Sequence, residues 1–279
     1  MNRLGEHKVQ IVTDSTADLP EPIVKEYDIE IVPLTVNLGE ETFVDGTLSQ
    51  PEFVEMMETS PELPRTSQPS PGDFISVFNE KAEDGPILCI TISKHLSGTY
   101  QSASLAANSV EGEIEIFDTL VTTGPQAAQV LIAARLAEQG RSLEEIIEYL
   151  TPYREEQKIL FVITDLTNVV KGGRLPRWQG QLASLLNINA VLEAEGGTID
   201  LLEKVRGEEQ VYERLIEMME EHVTSAEGRI LTVSHCANLE WAEWVADRLQ
   251  HLNPDETLFV EAGTVISTHG GRGLVAVSI

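Results

Sequence analysis

Polar clusters stand at the ends of several apolar segments of this chain. They are Asp14-Ser15-Thr16, Thr66-Ser67-Gln68, Ser97-Gly98-Thr99 and Thr268-His269-Gly270. Hydroxyl and imidazole groups can hold a carboxylate through charge-assisted hydrogen bonds without a full ion pair. The first and third clusters follow strand-like runs, and ligands of open α/β sheets lie outside the carboxyl ends of strands. The clusters therefore indicate an anion site if the fold brings them together.

Two of these clusters also have a purely structural interpretation. Asp14 and Ser97 are residue types favoured as helix N-caps, so each could simply cap the helix that follows it. A helix beginning just after Ser97 would, however, also direct free N–H groups towards an anion. Gly98 would let the backbone approach that anion closely. The residues alone leave both interpretations open.

A serine esterase or thioesterase that uses Ser97 is an alternative class of function. Its nucleophile turn would require G-x-S-x-G, whereas the stretch His95-Leu96-Ser97-Gly98-Thr99 lacks both outer glycines. No acidic residue can be assigned to orient His269 as a base. The hydrolase is therefore the less favoured interpretation.

The segment Lys171-Gly172-Gly173-Arg174 is a glycine-hinged basic spot in a chain with only 19 Lys and Arg residues. It is either a phosphate or partner contact or a tight turn with a solvated arginine, and we favour the contact. The sequence carries no P-loop motif and no dinucleotide glycine motif after a strand. No metal-ligand spacing recurs, so we predict no metal and no cofactor.

The composition of the chain excludes several kinds of binding partner. The net charge of −27 over 279 residues argues against nucleic acid, because phosphate binding requires a basic face. Cys89 and Cys236 give no disulfide framework. No apolar stretch approaches the ~20 residues of a membrane span, and the amino end shows no signal-peptide apolar region. We therefore expect a cytoplasmic protein without stable membrane insertion.

Alternating strand-like and helix-like segments must position these clusters, and they predict an α/β fold in two domains. We expect residues 1–157 to form a three-layer α/β/α domain with a mainly parallel sheet. Ile29–Leu38 is predicted as one strand of it, and the proline-rich loop 61–73 as irregular. Residues 158–279 are expected to form a mixed α+β domain, with a hairpin at Gly196-Gly197.

Taken together, the motifs resemble those of the DegV family. The matching segments occur in the family's order from about residue 9 to the end of the chain: Thr13-Asp14-Ser15-Thr16-Ala17-Asp18-Leu19, Thr66-Ser67-Gln68-Pro69-Ser70-Pro71, Ser97-Gly98-Thr99-Tyr100-Gln101-Ser102-Ala103, Lys171-Gly172-Gly173-Arg174 with Leu185-Leu186-Asn187-Ile188, and Thr268-His269 with its glycine-rich tail. Five ordered matches are a specific signal, although each one alone is weak.

The resemblance implies a two-domain α/β protein that carries one long-chain fatty acid (C14–C18), which is bound between the two domains. It also implies a separate ATP-binding kinase subunit that phosphorylates the presented carboxylate, so that the carrier itself is not an enzyme. By matching positions, Thr66, Ser97 and His269 resemble the residues that hold the carboxylate. Arg174 resembles an arginine near the mouth that is associated with phosphoryl transfer or kinase docking. Secondary contacts expected around the head group are Asp14, Ser15, Ser67, Gly98 and Thr268.

Two positions depart from the family pattern as we know it. Arg272 stands where the segment after the histidine usually has no arginine, and Arg65 stands where many relatives carry a hydroxyl residue. Both concern details of the head-group region. A lipid sensor that docks on some other protein is a third class of function compatible with the same residues.

Overall fold

The computed structural model describes residues 8–184 and 188–279, without the side chains of residues 181–184. Three residues of the Leu185-Leu186-Asn187-Ile188 segment, which carried part of the resemblance, thus lie outside the described residues. The strands are β1 (Gln10–Asp14), β2 (Glu30–Val32), β3 (Thr35–Leu38), β4 (Glu41–Val44), β5 (Arg65–Ser67), β6 (Ile87–Thr91), β7 (Ile114–Asp118), β8 (Ile159–Ile163), β9 (Asn189–Glu195), β10 (Thr198–Val205), β11 (Ile230–His235), β12 (Glu256–Glu261) and β13 (Val275–Ser278).

The helices alternate with these strands along most of the chain. They are α1 (Glu21–Tyr27), α2 (Gln50–Thr59), α3 (Pro71–Lys81), α4 (Thr99–Ala107), α5 (Thr123–Glu138), α6 (Leu143–Glu156), α7 (Thr167–Lys171), α8 (Glu208–His222), α9 (Leu239–Leu249) and α10 (Thr264–Gly270). Shorter 3₁₀ segments cover Ser15–Ala17, Pro176–Ser184 and Gln250–Leu252.

A four-stranded parallel sheet, in the order β2-β1-β6-β7, forms the centre of the amino-terminal half. Successive side chains of a strand point to opposite faces, and β6 follows this rule. Leu88 and Ile90 pack towards α5 and α6, whereas Ile87 and Cys89 pack towards α3 and α4. This arrangement confirms the predicted three-layer α/β/α organisation.

The carboxy-terminal half is built on a six-stranded mixed sheet in the order β10-β9-β8-β13-β11-β12. Leu160 and Val162 of β8 belong to the core under α8 and α9. Phe161 and Ile163, on the opposite face, pack with residues of β9, α7 and α10. This sheet confirms the predicted mixed α+β domain. The face of β8 that carries Phe161 and Ile163 is directed towards the space between the two large sheets.

The predicted hairpin at Gly196-Gly197 joins β9 to β10. Both glycines have positive φ angles, 56° and 86°, as a two-residue turn between twisted strands requires. The turn lies against the amino-terminal half, where Ser93 Oγ donates a hydrogen bond of 2.7 Å to the carbonyl oxygen of Gly197. The hairpin therefore links the two sheets.

Two parts of the sequence prediction differ from the structure. Ile29–Leu38 forms two strands, because Pro33 lies between β2 of the parallel sheet and β3 of a separate antiparallel sheet. A proline cannot donate a ladder hydrogen bond, so it interrupts the strand. The loop 61–73 contains β5, which pairs with β3 and completes the small sheet β4-β3-β5. That pairing gives Thr66 a fixed place.

All described strands up to residue 118 belong to the parallel sheet or to the small antiparallel sheet, and all described strands from residue 159 onwards belong to the mixed sheet. This distribution agrees with a boundary between residues 157 and 158, which remains a prediction. Helix α5 nevertheless packs on both halves. Its Gly124 N–H donates to Ser234 Oγ of β11 over 3.0 Å.

The close approach of α5 to β11 depends on the absence of a side chain at Gly124. A Cβ atom there would lie 2.9 Å from Thr232 Oγ1 and would overlap Ser234 Oγ, in a buried region where neither the helix nor the strand can move away easily. We expect Gly124→Ala to lower the free energy of unfolding by about 1–3 kcal/mol, the usual cost of overpacking. Chemical denaturation measures the change.

Gly72→Ala is the matched control, because Gly72 is likewise the second residue of a helix. Its Cβ would meet only Ser70 Oγ at 3.5 Å. That substitution should leave stability unchanged or raise it slightly. Equal effects of the two substitutions would show that the contact between α5 and β11 is not tight.

Candidate functional site

A cavity with an empty volume of about 890 Å³, including space open to solvent, lies between the two large sheets. The segments that follow the parallel strands contribute Leu34, Ile92 and Val121 to one wall. The inward face of the mixed sheet contributes Phe161 and Ile163 to the other. Most of the cavity is therefore apolar and suits a hydrocarbon chain.

Polar groups are concentrated at one part of the cavity wall, which we call the mouth. It is formed by Thr66, Ser97, Arg174 and His269. Thr66 Oγ1 lies 3.2 Å from His269 Nε2. Ser97 Oγ lies 2.9 Å from Thr99 Oγ1, so one of these hydroxyls donates to the other. The structure thus brings together Thr66, Ser97 and His269, the first and last of which are 203 positions apart in the sequence.

His269 is held in the mouth by a contact that only glycine permits. A Cβ atom on Gly172 would lie 2.8 Å from His269 Nδ1 and 2.9 Å from Cε1. The bare backbone of the Lys171-Gly172-Gly173-Arg174 segment therefore provides the surface on which the imidazole rests. Nδ1 is buried and has no hydrogen-bond partner among the described residues. Nε2 is the ring atom that faces Thr66.

The imidazole of His269 is neutral at physiological pH. Burial lowers its pKa to about 3, and the positive charge of Arg174 acts in the same direction. A neutral imidazole has one N–H donor and one acceptor nitrogen. His269 can therefore offer an anion a hydrogen bond but not a full charge.

Arg174 supplies the positive charge of the mouth. Its guanidinium donates to the carbonyl oxygens of Leu96 over 3.2 Å and Gly172 over 2.6 Å, which fixes its direction. Burial lowers the pKa of this guanidinium, which nevertheless stays protonated at neutral pH. No carboxylate of the described residues forms an ion pair with it. Arg174 therefore retains donor capacity for an anionic ligand.

A second, more polar cavity opens on the other side of the mouth. It shares Thr66, His269 and Arg174 with the apolar cavity, and Arg65 and Lys171 also line it. Thr268 lies on this polar side, although its hydroxyl donates to the carbonyl oxygen of Thr264 within α10. An acid group at the mouth would consequently face apolar space on one side and a basic, solvent-connected opening on the other.

The absence of a side chain at Gly98 is required by a contact within the protein, and its expected close approach to a ligand stays a prediction. A Cβ atom there would overlap the side chain of Gln68, whose Cδ would lie 2.6 Å away. Gln68 Nε2 donates to Ser102 Oγ over 2.9 Å and to the carbonyl oxygen of Gly98 over 3.2 Å. The glycine therefore allows the loop of Thr66 to dock on the turn of Ser97. Ser67 is exposed, and its Oγ accepts from Asn37 over 3.3 Å.

Asp14 and Ser15, expected around the head group, do not belong to the described residues that line the cavity. Asp14 is fully buried, and its Oδ2 accepts from the N–H of Ile92 over 2.7 Å. Burial raises its pKa to about 6. Ser15 Oγ accepts from the N–H of Leu34 over 3.0 Å. Each side chain therefore fixes a neighbour that does line the cavity.

Sequence reasoning missed several contributors to the site. Gly172 and Gln68 lay inside recognised motifs, but their roles depend on partners about 100 and 30 residues away. Thr122 and Thr123, which line the cavity near the amino end of α5, carried no signal beyond their position after a strand. Thr123 has a left-handed φ of 51°, unusual for a β-branched residue.

Two features are absent from the residues that the structure describes. Within 8–184 and 188–279, no helix is both long enough and apolar enough to cross a membrane. Over the same ranges, no three His, Cys, Asp or Glu side chains are grouped so that they could hold a metal ion.

Comparison with known proteins connects this fold and mouth to a family. A DegV domain-containing protein of Halalkalibacterium halodurans is 38% identical over 279 residues, covering 97% of this chain and 98% of its own. A solved structure described as fatty acid binding of a DegV family protein from Thermus thermophilus is 32% identical. It superposes with a TM-score of 0.89 over 97% of this chain and 98% of its own.

A second solved structure is also similar to this chain. It is the fatty acid kinase B3 protein of Streptococcus pneumoniae loaded with linoleic acid. The two chains are 28% identical and superpose with a TM-score of 0.85, over 97% of this chain and 98% of the Streptococcus chain. The profile of the family described as "Uncharacterised protein, DegV family" matches residues 8–279. The chain therefore belongs to the DegV family.

Proposed function

We propose that this protein binds one long-chain fatty acid (C14–C18) in the cavity between its sheets, with the carboxylate at the mouth. The single observation that carries the proposal is the composition of the cavity, whose apolar walls end at Thr66, Ser97, Arg174 and His269. The similar proteins described as fatty acid binding support the same class of ligand.

The two ends of such a ligand make different contributions to binding. Burial of the acyl tail contributes about 0.8 kcal/mol per methylene, so ten methylenes contribute roughly 8 kcal/mol before ordering costs. Hydroxyl and imidazole donors at the mouth orient the carboxylate through charge-assisted hydrogen bonds. The tail therefore supplies affinity and the mouth supplies direction.

The protein then presents the bound acid to a separate ATP-binding kinase subunit, which phosphorylates the carboxylate. The polar cavity beside the mouth supports this part of the proposal, because Arg65, Lys171 and Arg174 line an opening through which a phosphoryl group could approach. In a chain of net charge −27, such local cations are needed near a polyphosphate. The carrier itself is not an enzyme and acts in the cytoplasm, where the kinase finds ATP.

The esterase alternative requires Ser97 and His269 to act as nucleophile and base. In the described structure, Ser97 Oγ pairs with Thr99 Oγ1, and His269 Nε2 pairs with Thr66 Oγ1. The hydrogen bond on which the alternative depends is thus not among the contacts of either side chain. Hydrolysis of acyl ester probes that is lost in Ser97→Ala would support the esterase against the carrier. A lipid sensor would bind the acid and never support its phosphorylation.

Removal of a hydroxyl from the mouth should weaken the binding of an acid but not that of its methyl ester. Ser97→Ala and Thr66→Ala each remove one donor to the carboxylate, worth about 1.5–3 kcal/mol for a charged partner. We expect the dissociation constant for palmitate to rise about tenfold or more, and that for methyl palmitate to change much less. Titration calorimetry of both ligands measures the difference.

Thr122→Ala is the matched control, since Thr122 also places a hydroxyl residue on the cavity wall but its Oγ1 donates to the carbonyl oxygen of Thr16. It should affect the acid and the ester equally. If Ser97→Ala and Thr66→Ala also affected both ligands equally, neither hydroxyl would be a carboxylate donor.

The low pKa of His269 predicts a pH dependence of stability. The folded protein takes up the imidazole proton only near pH 3, whereas the unfolded chain takes it up near pH 6.5. The unfolded state is therefore favoured as the pH falls through this window, and stability is lost. Relative to His269→Asn, the ligand-free wild type should lose free energy of unfolding between pH 6.5 and pH 3. Parallel curves for the two proteins would mean that the imidazole has the same pKa in the folded and the unfolded state.

Arg174→Ala should separate lipid retention from phosphorylation. The tail and the remaining donors keep the acid bound, whereas the charge beside the transferred phosphoryl group is lost. We expect kinase-dependent ATP turnover to fall about tenfold or more, the scale of one charge-assisted hydrogen bond, with a much smaller change in the dissociation constant for palmitate.

Arg177→Ala serves as its control, because Arg177 is an exposed arginine three residues further along that pairs with Asp200 over 3.0 Å. It should leave both quantities unchanged. Losses of equal size in binding and turnover for Arg174→Ala would place that arginine in the carboxylate site alone.

A further inference from the structure

Helix α10 carries a large share of the proposed binding site although it is only seven residues long. Its Val265, Ile266, His269 and Gly270 all line the cavity. So short a helix is not stable by itself, because nucleation costs more than a few hydrogen bonds return. Other parts of the chain must therefore hold it in place.

Asp45 and Asp18, from the amino-terminal half of the chain, bind the beginning of α10. Asp45 Oδ1 accepts from the N–H of Thr264 over 2.8 Å, from Thr264 Oγ1 over 2.7 Å and from the N–H of Val265 over 3.3 Å. Asp18 Oδ1 accepts from the N–H of Gly263 over 2.9 Å. These hydrogen bonds join residues more than 200 positions apart.

The residue before α10 has no side chain, which gives both carboxyl groups room. A Cβ atom on Gly263 would lie 2.7 Å from Asp18 Oδ1 and 2.9 Å from Asp45 Oδ1. The φ angle of Gly263 is −66°, which any residue can adopt, so space rather than conformation requires glycine. The two carboxyl oxygens therefore approach the same point of the backbone.

We propose that Asp18 and Asp45 are positioning residues, which hold α10 by its first turn and thereby fix His269 in the mouth for the carboxylate. This inference deepens and rests on the proposed function. The capping of α10 from a distant part of the chain is the observation that carries it. Asp18, which lies in the Thr13–Leu19 motif, thus acts on the site through α10, as does Asp45. Neither residue contacts the ligand.

The two carboxyl groups differ in their surroundings. Burial and the neighbouring charge of Asp45 raise the pKa of Asp18 well above its usual range, and Asp14 adds to the effect. The thiol of Cys236 and the hydroxyl of Thr123 are the other groups that interact with Asp18. Asp45, by contrast, is surrounded by donors, because Ser15 Oγ also donates to its Oδ2 over 2.7 Å. Among the described residues, Asp45 therefore accepts hydrogen bonds from four donors, whereas Asp18 accepts one from the N–H of Gly263.

This difference makes the two amide substitutions unequal. Asp18→Asn keeps an acceptor oxygen for the single N–H of Gly263. Asp45→Asn places an NH₂ group among donors, because both carboxylate oxygens of Asp45 accept hydrogen bonds. We expect Asp45→Asn to raise the dissociation constant for palmitate by about fivefold or more, the scale of a lost helix cap, and methyl palmitate to be affected less. Asp18→Asn should change either constant by less than about twofold, as for an acceptor that is retained.

Asp73→Asn is the matched control, because Asp73 forms a capping box with Ser70 at the beginning of α3, which does not line the cavity. It should lower stability without changing the ratio of acid to ester binding. Thr264→Val provides a second, milder variant, which removes one donor to Asp45 and keeps the shape of the side chain. It should shift the ratio in the same direction as Asp45→Asn.

The ligand-free protein gives an independent readout. The pKa of Asp18 in the folded protein is raised above its value near 3.9 in the unfolded chain. At pH values between these two pKa values, the folded state binds more protons than the unfolded state. The free energy of unfolding therefore falls as the pH rises through this range. Asp18→Asn removes this dependence, so the unfolding free energies of wild type and variant should diverge from about pH 4 upwards. The inference is overturned if the curves stay parallel, or if Asp45→Asn and Thr264→Val leave the acid-to-ester ratio as Asp73→Asn does.

Failure of the proposed function has a different signature. In that case the wild type binds neither palmitate nor its ester, whereas the divergence between wild type and Asp18→Asn persists in the ligand-free protein. Loss of that divergence while palmitate still binds would overturn the positioning role alone.

Discussion

Two sheets that face each other across an apolar gap determine the rest of this structure. Every second side chain of β8 is directed into the gap, while the alternate set packs under α8 and α9. On the opposite side, the segments after the parallel strands contribute Leu34, Ile92 and Val121 to the wall of the gap. Exposing this apolar gap to water would be costly, so a hydrocarbon ligand suits it better than water does.

The polar mouth is assembled from segments that meet only through the fold. Thr66 is placed by the pairing of β5 with β3, Ser97 by the turn between β6 and α4, and His269 by α10. Gly98 and Gly172 leave space for Gln68 and His269, respectively, so the segments can come close. Apart from Arg174, the donors are uncharged, which allows the mouth to hold an anion without a buried network of ion pairs.

The sequence predicted the architecture more completely than the details of the site. Periodicity and glycine turns are local signals, so the α/β/α layers, the hairpin at Gly196-Gly197 and most helices could be predicted. Pro33, which divides the expected strand Ile29–Leu38, is also a local signal and was overlooked. Thr66, Ser97, Arg174 and His269, which the motifs predicted around one head group, line a single cavity, and their contacts with a ligand stay a prediction.

The roles of Asp14, Ser15 and Gly98 could not be predicted, because each depends on a distant partner. Asp14 binds the backbone of Ile92, and Gly98 gives room to Gln68. A motif shows that a residue matters and does not show whether it contacts the ligand or a neighbour that does. Tertiary contacts of this kind appear only when the chain is folded.

The most direct test of the account is a crystal structure of the protein with palmitate. The account predicts one acid per chain, with its tail between the sheets and a carboxylate oxygen within hydrogen-bonding distance of Thr66 Oγ1, Ser97 Oγ and His269 Nε2. A palmitate bound outside this cavity, or one inside it with the carboxylate beside Thr122 and Thr123 and the methyl end at the mouth, would contradict the account.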